Sequence, residues 1–217
     1  MKKWIGKYGH AWCLLYVLIY LPWFAFLEKN VTKYHLVHSS LDDWIPFCEY
    51  FIIPYLLWFA YVSIAVLYFF FTSKKEYYQL CTFLFVGMTI SLIICTIWPN
   101  GHDLRPAEFV RENVFTRMVE VLYTADTSTN VFPSIHVFNS IGVQIAVQNS
   151  ERLRNKRWIR VLSGVLCISI ICSTVLLKQH SILDVFGGIA LGAIMNYFVY
   201  RTERGWGRQE ELKKQWD

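Results

Sequence analysis

The chain has 217 residues, of which 55% are hydrophobic and 17% are charged. An average water-soluble domain carries about 25% charged residues, so this composition excludes an ordinary soluble domain. The net charge of +5 resides in short basic stretches that flank apolar segments, and it therefore gives no indication of nucleic-acid binding. We expect a single membrane domain that covers residues 1–217.

Six apolar segments follow one another along the chain. A helix that spans a bilayer needs about 20 mostly apolar residues, and these segments predict an all-α integral membrane bundle of six transmembrane helices. The predicted spans are residues 9–27, 48–71, 79–98, 133–149, 158–177 and 182–200. The first segment has a basic start but no small-residue cleavage site after it, which favours a retained anchor over a signal peptide.

The fourth segment is more polar than the other five. It carries Ser134, His136, Asn139, Ser140, Gln144 and Gln148. Polar side chains inside a membrane are costly when they face lipid. We therefore expect this helix to face other helices or a water-filled cavity.

The basic residues predict the orientation of the bundle. Most of the 21 lysines and arginines lie at the two termini and in the second and fourth connections. They are Lys2, Lys3, Lys7, Lys74, Lys75, Arg152, Arg154, Lys156, Arg157, Arg160, Arg201, Arg204, Arg208, Lys213 and Lys214. The positive-inside rule then places both termini in the cytoplasm.

This topology brings polar residues from three distant stretches to the outer face of the membrane. One lies in the third connection, two open the fourth span, two lie at the end of the fifth, and two open the sixth. In that order they are Arg105, Ser134, His136, Ser173, Lys178, His180 and Asp184. The count of lysines and arginines that predicts the orientation includes only two of these seven residues. Their convergence on one face therefore supports a common site.

The residue types in this group are suited to phosphoryl transfer. His180 and Asp184 lie four positions apart and share a helix face. The carboxylate can hold one imidazole N–H and leave the other nitrogen as a nucleophile or base. His136 supplies a second imidazole for an acid role. Pro133 suits a first helical turn, whose free amides attract anions.

Two other classes of protein remain open at this point. The same residues suit a transporter with a proton or anion path, although transporters usually bind at the membrane midplane. Imidazole and carboxylate groups also suit zinc, with His180, Asp184, His136 and His102 as ligands. No H-E-x-x-H motif is present.

At these residues the chain resembles the type 2 phosphatidic acid phosphatase superfamily, also called lipid phosphate phosphatases. That family has the motifs K-x6-R-P, P-S-G-H and S-R-x5-H-x3-D. Here they read WPNGHDLRP at 98–106, PSIH at 133–136 and STVLLKQHSILD at 173–184. The order, the spacing and the six-span layout all match.

The resemblance implies a role for each matching residue. His180 is expected to attack phosphorus and form a phosphohistidine, and Asp184 to orient it. His136 is expected to protonate the leaving oxygen and then activate the acceptor. The phosphate is expected to bind Arg105, Ser134 and Ser173. Members of the family typically need no metal, so no cofactor is expected.

Three positions depart from the family motifs. Trp98 stands in place of the lysine, Thr174 in place of the arginine, and Ile135 in place of the glycine. Two phosphate-binding cations are thus missing. Lys178 lies one helical turn after Thr174, and we hypothesise that it restores one positive charge.

These observations predict an integral membrane lipid phosphatase that dephosphorylates a phospholipid or a polyprenyl (di)phosphate at the outer leaflet. The alternative is a phosphotransferase that moves a phosphorylated headgroup to a lipid alcohol, because the departing motifs look like the branch near inositol phosphorylceramide synthases. The expected partners are a lipid phosphate and the bilayer, without nucleic acid. The sequence indicates neither the lipid nor an oligomeric state.

Overall fold

The structure, a computed structural model, describes residues 8–201. Within that range the protein is all-α, with seven α-helices and one minimal two-stranded sheet. The helices are α1 (Val17–Asn30), α2 (Ile52–Thr72), α3 (Lys74–Ile97), α4 (Val114–Ala125), α5 (Ile135–Asn149), α6 (Arg157–Leu176) and α7 (Ile182–Asn196). A 3-10 helix (Gly9–Tyr16) leads into α1, another (Glu49–Phe51) leads into α2, and α7 continues as a π-helical turn (Tyr197–Arg201).

Five helical segments are long and apolar enough to cross a membrane. They are Gly9–Asn30, Glu49–Thr72, Lys74–Ile97, Arg157–Leu176 and Ile182–Arg201, and they match five of the six predicted spans. The fourth predicted span is the 15-residue helix α5, which is about 22 Å long against a hydrocarbon core of about 30 Å. The protein is therefore a multi-pass membrane protein, and the count of six spans stays a proposal.

Helix α5 lies at the centre of the bundle. It packs against α2, α3, α6 and α7, and its residues His136, Asn139 and Ser140 are buried. The prediction that this polar helix faces other helices is confirmed for these side chains. Polar side chains are tolerated here because neighbouring helices surround this helix.

Glycines allow α3 and α5 to pack closely. A Cβ atom on Gly87 of α3 would lie 2.0 Å from the ring of Phe138, and one on Gly142 of α5 would lie 2.6 Å from the ring of Phe83. The two phenylalanine rings stack with centroids 4.9 Å apart. Small residues at such contacts let helix backbones approach one another, as is usual in membrane helices.

The two basic connections lie together at one end of the bundle. Ser73 caps α3, and the Glu76 carboxylate accepts hydrogen bonds from the Ser150 hydroxyl at 3.1 Å and the Glu151 amide at 2.9 Å. These bonds join the connection after α2 to the connection after α5. The basic residues predicted at the termini, Lys2, Lys3, Lys7, Arg204, Arg208, Lys213 and Lys214, lie outside the described residues.

The opposite end carries the longer connections. Strand β1 (His35–Leu36) pairs in parallel with β2 (Asn100–Gly101). Helix α4 also lies in these connections, and the hydropathy pattern does not predict it because it is far shorter than a span. The signal for α4 is local: Asn113 and Thr116 form a capping box at its start.

Candidate active site

The structure brings the two predicted histidines together. His136 lies in the first turn of α5, and His180 lies just before Ser181, the N-cap of α7. Their ring centroids are 5.6 Å apart. The Ser134 amide donates to the Asp184 carbonyl at 3.1 Å, so a backbone hydrogen bond joins the second and third motifs.

A glycine permits this approach of α7 to the start of α5. A Cβ atom on Gly188 would lie 2.8 Å from the Ser134 carbonyl oxygen, which is too close for any side chain. The helix α5 begins at Ile135 with Ser134 as its N-cap. The expectation that Pro133 occupies the first helical turn is therefore wrong, because the serine hydroxyl takes the capping role and the proline precedes it.

Asp184 holds both His180 and the start of α7. One carboxylate oxygen, Oδ2, lies 3.3 Å from His180 Nδ1 and accepts from the Ser181 amide at 2.9 Å. Asp184 is fully buried, and its Oδ1 has no hydrogen-bond partner. The predicted pairing of imidazole and carboxylate is thus present, with His180 Nε2 as the ring nitrogen that Asp184 does not engage.

His136 is enclosed by aromatic rings. Its ring centroid lies 4.7 Å from that of Tyr55 and 4.4 Å from that of Trp58. The His136 side chain is buried, and its Nδ1 has no hydrogen-bond partner. Packing alone therefore sets the ring orientation, and a substrate can bind it without breaking an internal hydrogen bond.

Arg105 is tied to the residues around the histidines. It donates to the Tyr123 carbonyl at 3.0 Å, the Asp126 carbonyl at 2.6 Å and the Gln179 side-chain oxygen at 2.5 Å. Its guanidinium lies 4.4 Å from the Tyr123 ring centroid. Burial lowers the pKa of Arg105, and its Nε has no partner.

The other three predicted phosphate ligands are engaged elsewhere. The Ser134 hydroxyl accepts from the Val137 amide at 3.4 Å, and the Ser173 hydroxyl donates to the Ile170 carbonyl at 2.6 Å. Lys178 Nζ donates to the Asp42 carbonyl at 2.7 Å. Burial lowers the pKa of Lys178. The hypothesis that Lys178 supplies one of the positive charges missing from the family motifs therefore stays a prediction.

A small polar cavity of about 40 Å³ lies beside the two histidines. This phosphate cavity, as we call it, has room for about three water molecules. Helix α1, the loop between α4 and α5, the first residues of α5, and the residues before α7 form its wall. The lining residues are Phe24, Asp126, Thr127, Thr129, Asn130, Val131, Ile135, His136, Gln179 and His180.

A much larger apolar groove of about 750 Å³ adjoins the phosphate cavity. Side chains of α1, α2 and α4 line most of it, among them Tyr20, Leu56, Trp58, Met118, Val121 and Leu122. Phe24, Asp126, Ile135 and His136 belong to both linings. The arrangement suits a ligand with a small polar end and a long apolar part.

Several site residues have no signal in the sequence. Tyr55 donates to the Asp126 carboxylate at 2.9 Å. The Asp42 carboxylate accepts from the Ser181 hydroxyl at 2.6 Å and the Ile182 amide at 2.8 Å. Isolated tyrosines and aspartates in connections carry no motif, so only their position beside His136 and His180 reveals them.

His102 supports the site and is not arranged as a metal ligand. Its Nε2 donates to the Gln179 carbonyl at 2.8 Å, and its Nδ1 accepts from the Leu104 amide at 3.2 Å. Burial lowers its pKa to about 4, and the neighbouring His180 adds to this effect. Among residues 8–201, no three His, Cys, Asp or Glu side chains form a group that could hold a metal ion.

The part of the chain that contains these residues is similar to a known protein family. The family model of the PAP2 superfamily matches residues 104–208, a range that contains both histidines and Asp184. Residues 104–208 are therefore similar to the PAP2 superfamily, and this similarity supports a membrane phosphatase.

Among curated proteins, the chain is similar to a lipid A 4′-phosphatase of Porphyromonas gingivalis. The two are 27% identical over 184 residues, which cover 81% of this chain and 72% of that protein. No solved structure matches the chain.

Proposed function

We propose that the protein dephosphorylates a lipid phosphate through a phosphohistidine on His180. The observation that carries this proposal is the pair of imidazoles, 5.6 Å apart, on the wall of a phosphate cavity that adjoins an apolar groove. A lipid phosphate has the same two parts, a small anionic group and long apolar chains.

The proposed reaction has two chemical steps. In the first, His180 Nε2 forms a bond to phosphorus while the phosphorus–oxygen ester bond breaks, and His136 gives a proton to the leaving alkoxide. In the second, His136 takes a proton from water, whose oxygen attacks phosphorus and breaks the phosphorus–nitrogen bond. Asp184 holds His180 Nδ1 throughout, which favours the charge that develops on the ring.

The phosphate is proposed to bind at the start of α5. The first amides of a helix have no partner within the helix, and Ile135 and His136 both line the phosphate cavity. Arg105 donates a hydrogen bond to the side chain of Gln179. Because Gln179 directly precedes His180 in the chain, this bond holds Arg105 near the site. Ser134, Ser173 and Lys178 remain proposed ligands from the motif resemblance. The Ser134 hydroxyl only accepts at present and can still donate to a phosphate, whereas Ser173 would need to give up its bond to the Ile170 carbonyl.

The apolar groove is proposed to hold the lipid chains. The relative named as a lipid A 4′-phosphatase makes a phosphorylated glycolipid one proposed substrate, beside phosphatidate and polyprenyl diphosphate. The same intermediate also permits transfer of the phosphoryl group to a lipid alcohol. A groove of about 750 Å³ next to His136 supports this second function, because an alcohol would approach from there.

The proposal includes a topology. All of residues 1–217 form one domain with six spans, both termini are cytoplasmic, and the site opens to the extracytoplasmic side of the cell membrane. In support, the basic connections joined through Glu76 lie at the end of the bundle opposite the histidines. Neither a metal nor a cofactor has a part in these steps.

The experiment is an assay of purified protein in detergent against a panel of lipid phosphates, with a chelator and with or without a lipid alcohol. We expect inorganic phosphate to be released from at least one lipid, and the chelator to leave the rate unchanged. Phosphorylated alcohol in place of free phosphate would establish the transferase. Turnover that stops with the chelator and returns with zinc would contradict the metal-free mechanism.

A further inference from the structure

Asp126 lies where the phosphate cavity meets the apolar groove, and it lines both. One carboxylate oxygen, Oδ2, accepts hydrogen bonds from the Tyr55 hydroxyl at 2.9 Å and from Gln179 Nε2 at 3.4 Å. The Asp126 carbonyl accepts from Arg105. These bonds fix the carboxylate, yet none of them uses Oδ1.

A second acceptor on the same wall also lacks a partner. The Asn130 side chain donates through Nδ2 to Glu28 Oε1 at 2.8 Å. Because a carboxylate only accepts hydrogen bonds, this contact settles which end of the amide carries nitrogen. The other end, Asn130 Oδ1, is buried without a hydrogen-bond partner.

These two oxygens are unsuited to a phosphate. A phosphate dianion has no proton to donate, and the Asp126 carboxylate repels it. A buried acceptor without a donor is unfavourable, which applies to Asn130 Oδ1 in the free protein and to Asp126 Oδ1 once a bound lipid covers it. The wall therefore favours a ligand that brings hydroxyl groups together with its phosphate.

We propose that Asp126 and Asn130 bind hydroxyl groups on the carbons next to the phosphate ester, and that the enzyme thereby selects lipid phosphates with a sugar headgroup. This inference rests on the proposed phosphatase function and adds the substrate class. Polyprenyl phosphates lack such hydroxyls and leave both oxygens unpaired, so they are poor substrates.

The test compares three substrates with one alkyl chain: dodecyl glucoside 4-phosphate, its 3-deoxy analogue, and dodecyl phosphate. We expect the wild-type kcat/KM for the full sugar to exceed that for the deoxy analogue by about 10-fold to 100-fold, which corresponds to the cost of one unpaired acceptor. In Asp126→Asn the preference falls to within about threefold, because Tyr55 engages the amide oxygen and the sugar hydroxyl then meets a neutral amide NH2 in place of a charged acceptor, so a charge-assisted hydrogen bond is lost. Glu120→Gln, the same change on the exposed face of α4, keeps the wild-type preference.

Two results would overturn the inference while leaving the phosphatase intact. One is equal kcat/KM of the wild type for all three substrates. The other is a sugar preference that survives in Asp126→Asn and in Asn130→Ala, each checked by thermal unfolding. Asn130→Ala serves as the second variant, since it removes the other acceptor without touching Tyr55 or Gln179. If the wild type releases no phosphate from any lipid in the panel, the proposed function itself is wrong.

Discussion

The phosphate cavity and the apolar groove share four residues, but they are built differently. Polar side chains from two stretches, 126–136 and 179–180, line most of the cavity, and hydrogen bonds of 2.5–3.4 Å fix several of them. Apolar side chains of α1, α2 and α4 shape the groove. Hydrogen bonds require defined distances and angles, whereas apolar burial depends mainly on area. We therefore expect cavity substitutions to change kcat and groove substitutions to change KM.

The largest effect is expected for His180→Ala, which removes the proposed nucleophile. Activity should fall by more than about 10⁴-fold because no covalent route remains. The measurement is transfer of labelled phosphate to the protein from a labelled lipid phosphate, followed by rapid quenching. His38→Ala, a loop histidine paired with Asp43, is the control and should keep the label. Equal labelling of His180→Ala and wild type would refute the role.

His136→Ala is expected to lower kcat by about 10²–10⁴-fold, the usual contribution of a positioned general acid. A substrate with a good leaving group, such as a p-nitrophenyl phosphate ester, needs little protonation, so its phosphorylation step should be far less affected. Burst kinetics separate this step from hydrolysis of the intermediate. The same loss for poor and good leaving groups would argue against an acid role for His136.

Gly188→Ala tests whether the two motifs must lie this close. The new Cβ atom would meet the Ser134 carbonyl at 2.8 Å, so α7 should move away and carry Asp184 and His180 with it. A displacement of about 1 Å at a reacting group costs up to about 10²-fold, and we expect a loss of about 10-fold to 100-fold in kcat. Gly164→Ala is the control, since its Cβ would meet only the flexible Gln144 side chain at 3.2 Å. Wild-type kcat in Gly188→Ala would show that the spacing is not needed.

Leu122→Trp should fill part of the groove and leave the phosphate cavity unchanged. We expect KM for a long-chain substrate to rise by about tenfold, roughly the 1.4 kcal/mol of two lost methylene contacts, with kcat nearly constant. A short-chain lipid phosphate should be unaffected. Val161→Trp on the exposed face of α6 controls for the added indole. If KM rises equally for short and long chains, the groove does not hold the lipid chain.

The smallest expected effect concerns stability and pH at His102. Burial lowers its pKa from 6.5 to about 4, so between these values the unfolded chain binds a proton that the folded protein does not. The free energy of unfolding should therefore fall as pH falls from 6.5 toward 4. His102→Gln should flatten this dependence in thermal unfolding, while His35→Gln, an exposed histidine, should not. An unchanged slope in His102→Gln would mean that other groups cause it.

Much of the fold is predictable from hydropathy because the bilayer imposes a strong length requirement on apolar helices. Five predicted spans correspond to helices of spanning length. The length criterion does not predict helix α4, because its 12 residues are too few to span a bilayer and carry only a local amphipathic signal. The start of α5 at Ile135 was also unpredicted, because Pro133 and Ser134 are both acceptable at a helix start and only the observed cap distinguishes them.

The site was predictable in part for a different reason. His136, His180 and Asp184 lie in motifs whose spacing is visible along the chain. The hydrogen bonds of Ser173 and Lys178 could not be predicted from these motifs. The Ser173 hydroxyl donates to the Ile170 carbonyl, and Lys178 Nζ donates to the Asp42 carbonyl. Asp126, Asn130 and Tyr55 belong to no motif, and their place beside the histidines depends on where the loop before α5 runs and on how α2 packs against it.

The amino-acid sequence by itself determined the apolar helices, the resemblance to the superfamily and the histidine motifs, because apolar length and motif spacing are properties of a linear chain. Only the tertiary structure decided that two acceptor oxygens remain unpaired beside those histidines. Whether a polar atom finds a partner depends on distances of a few tenths of an ångström between segments far apart in the chain. The proposed phosphatase chemistry can therefore be predicted from the sequence motifs, whereas the proposed substrate selectivity depends on how the residues pack.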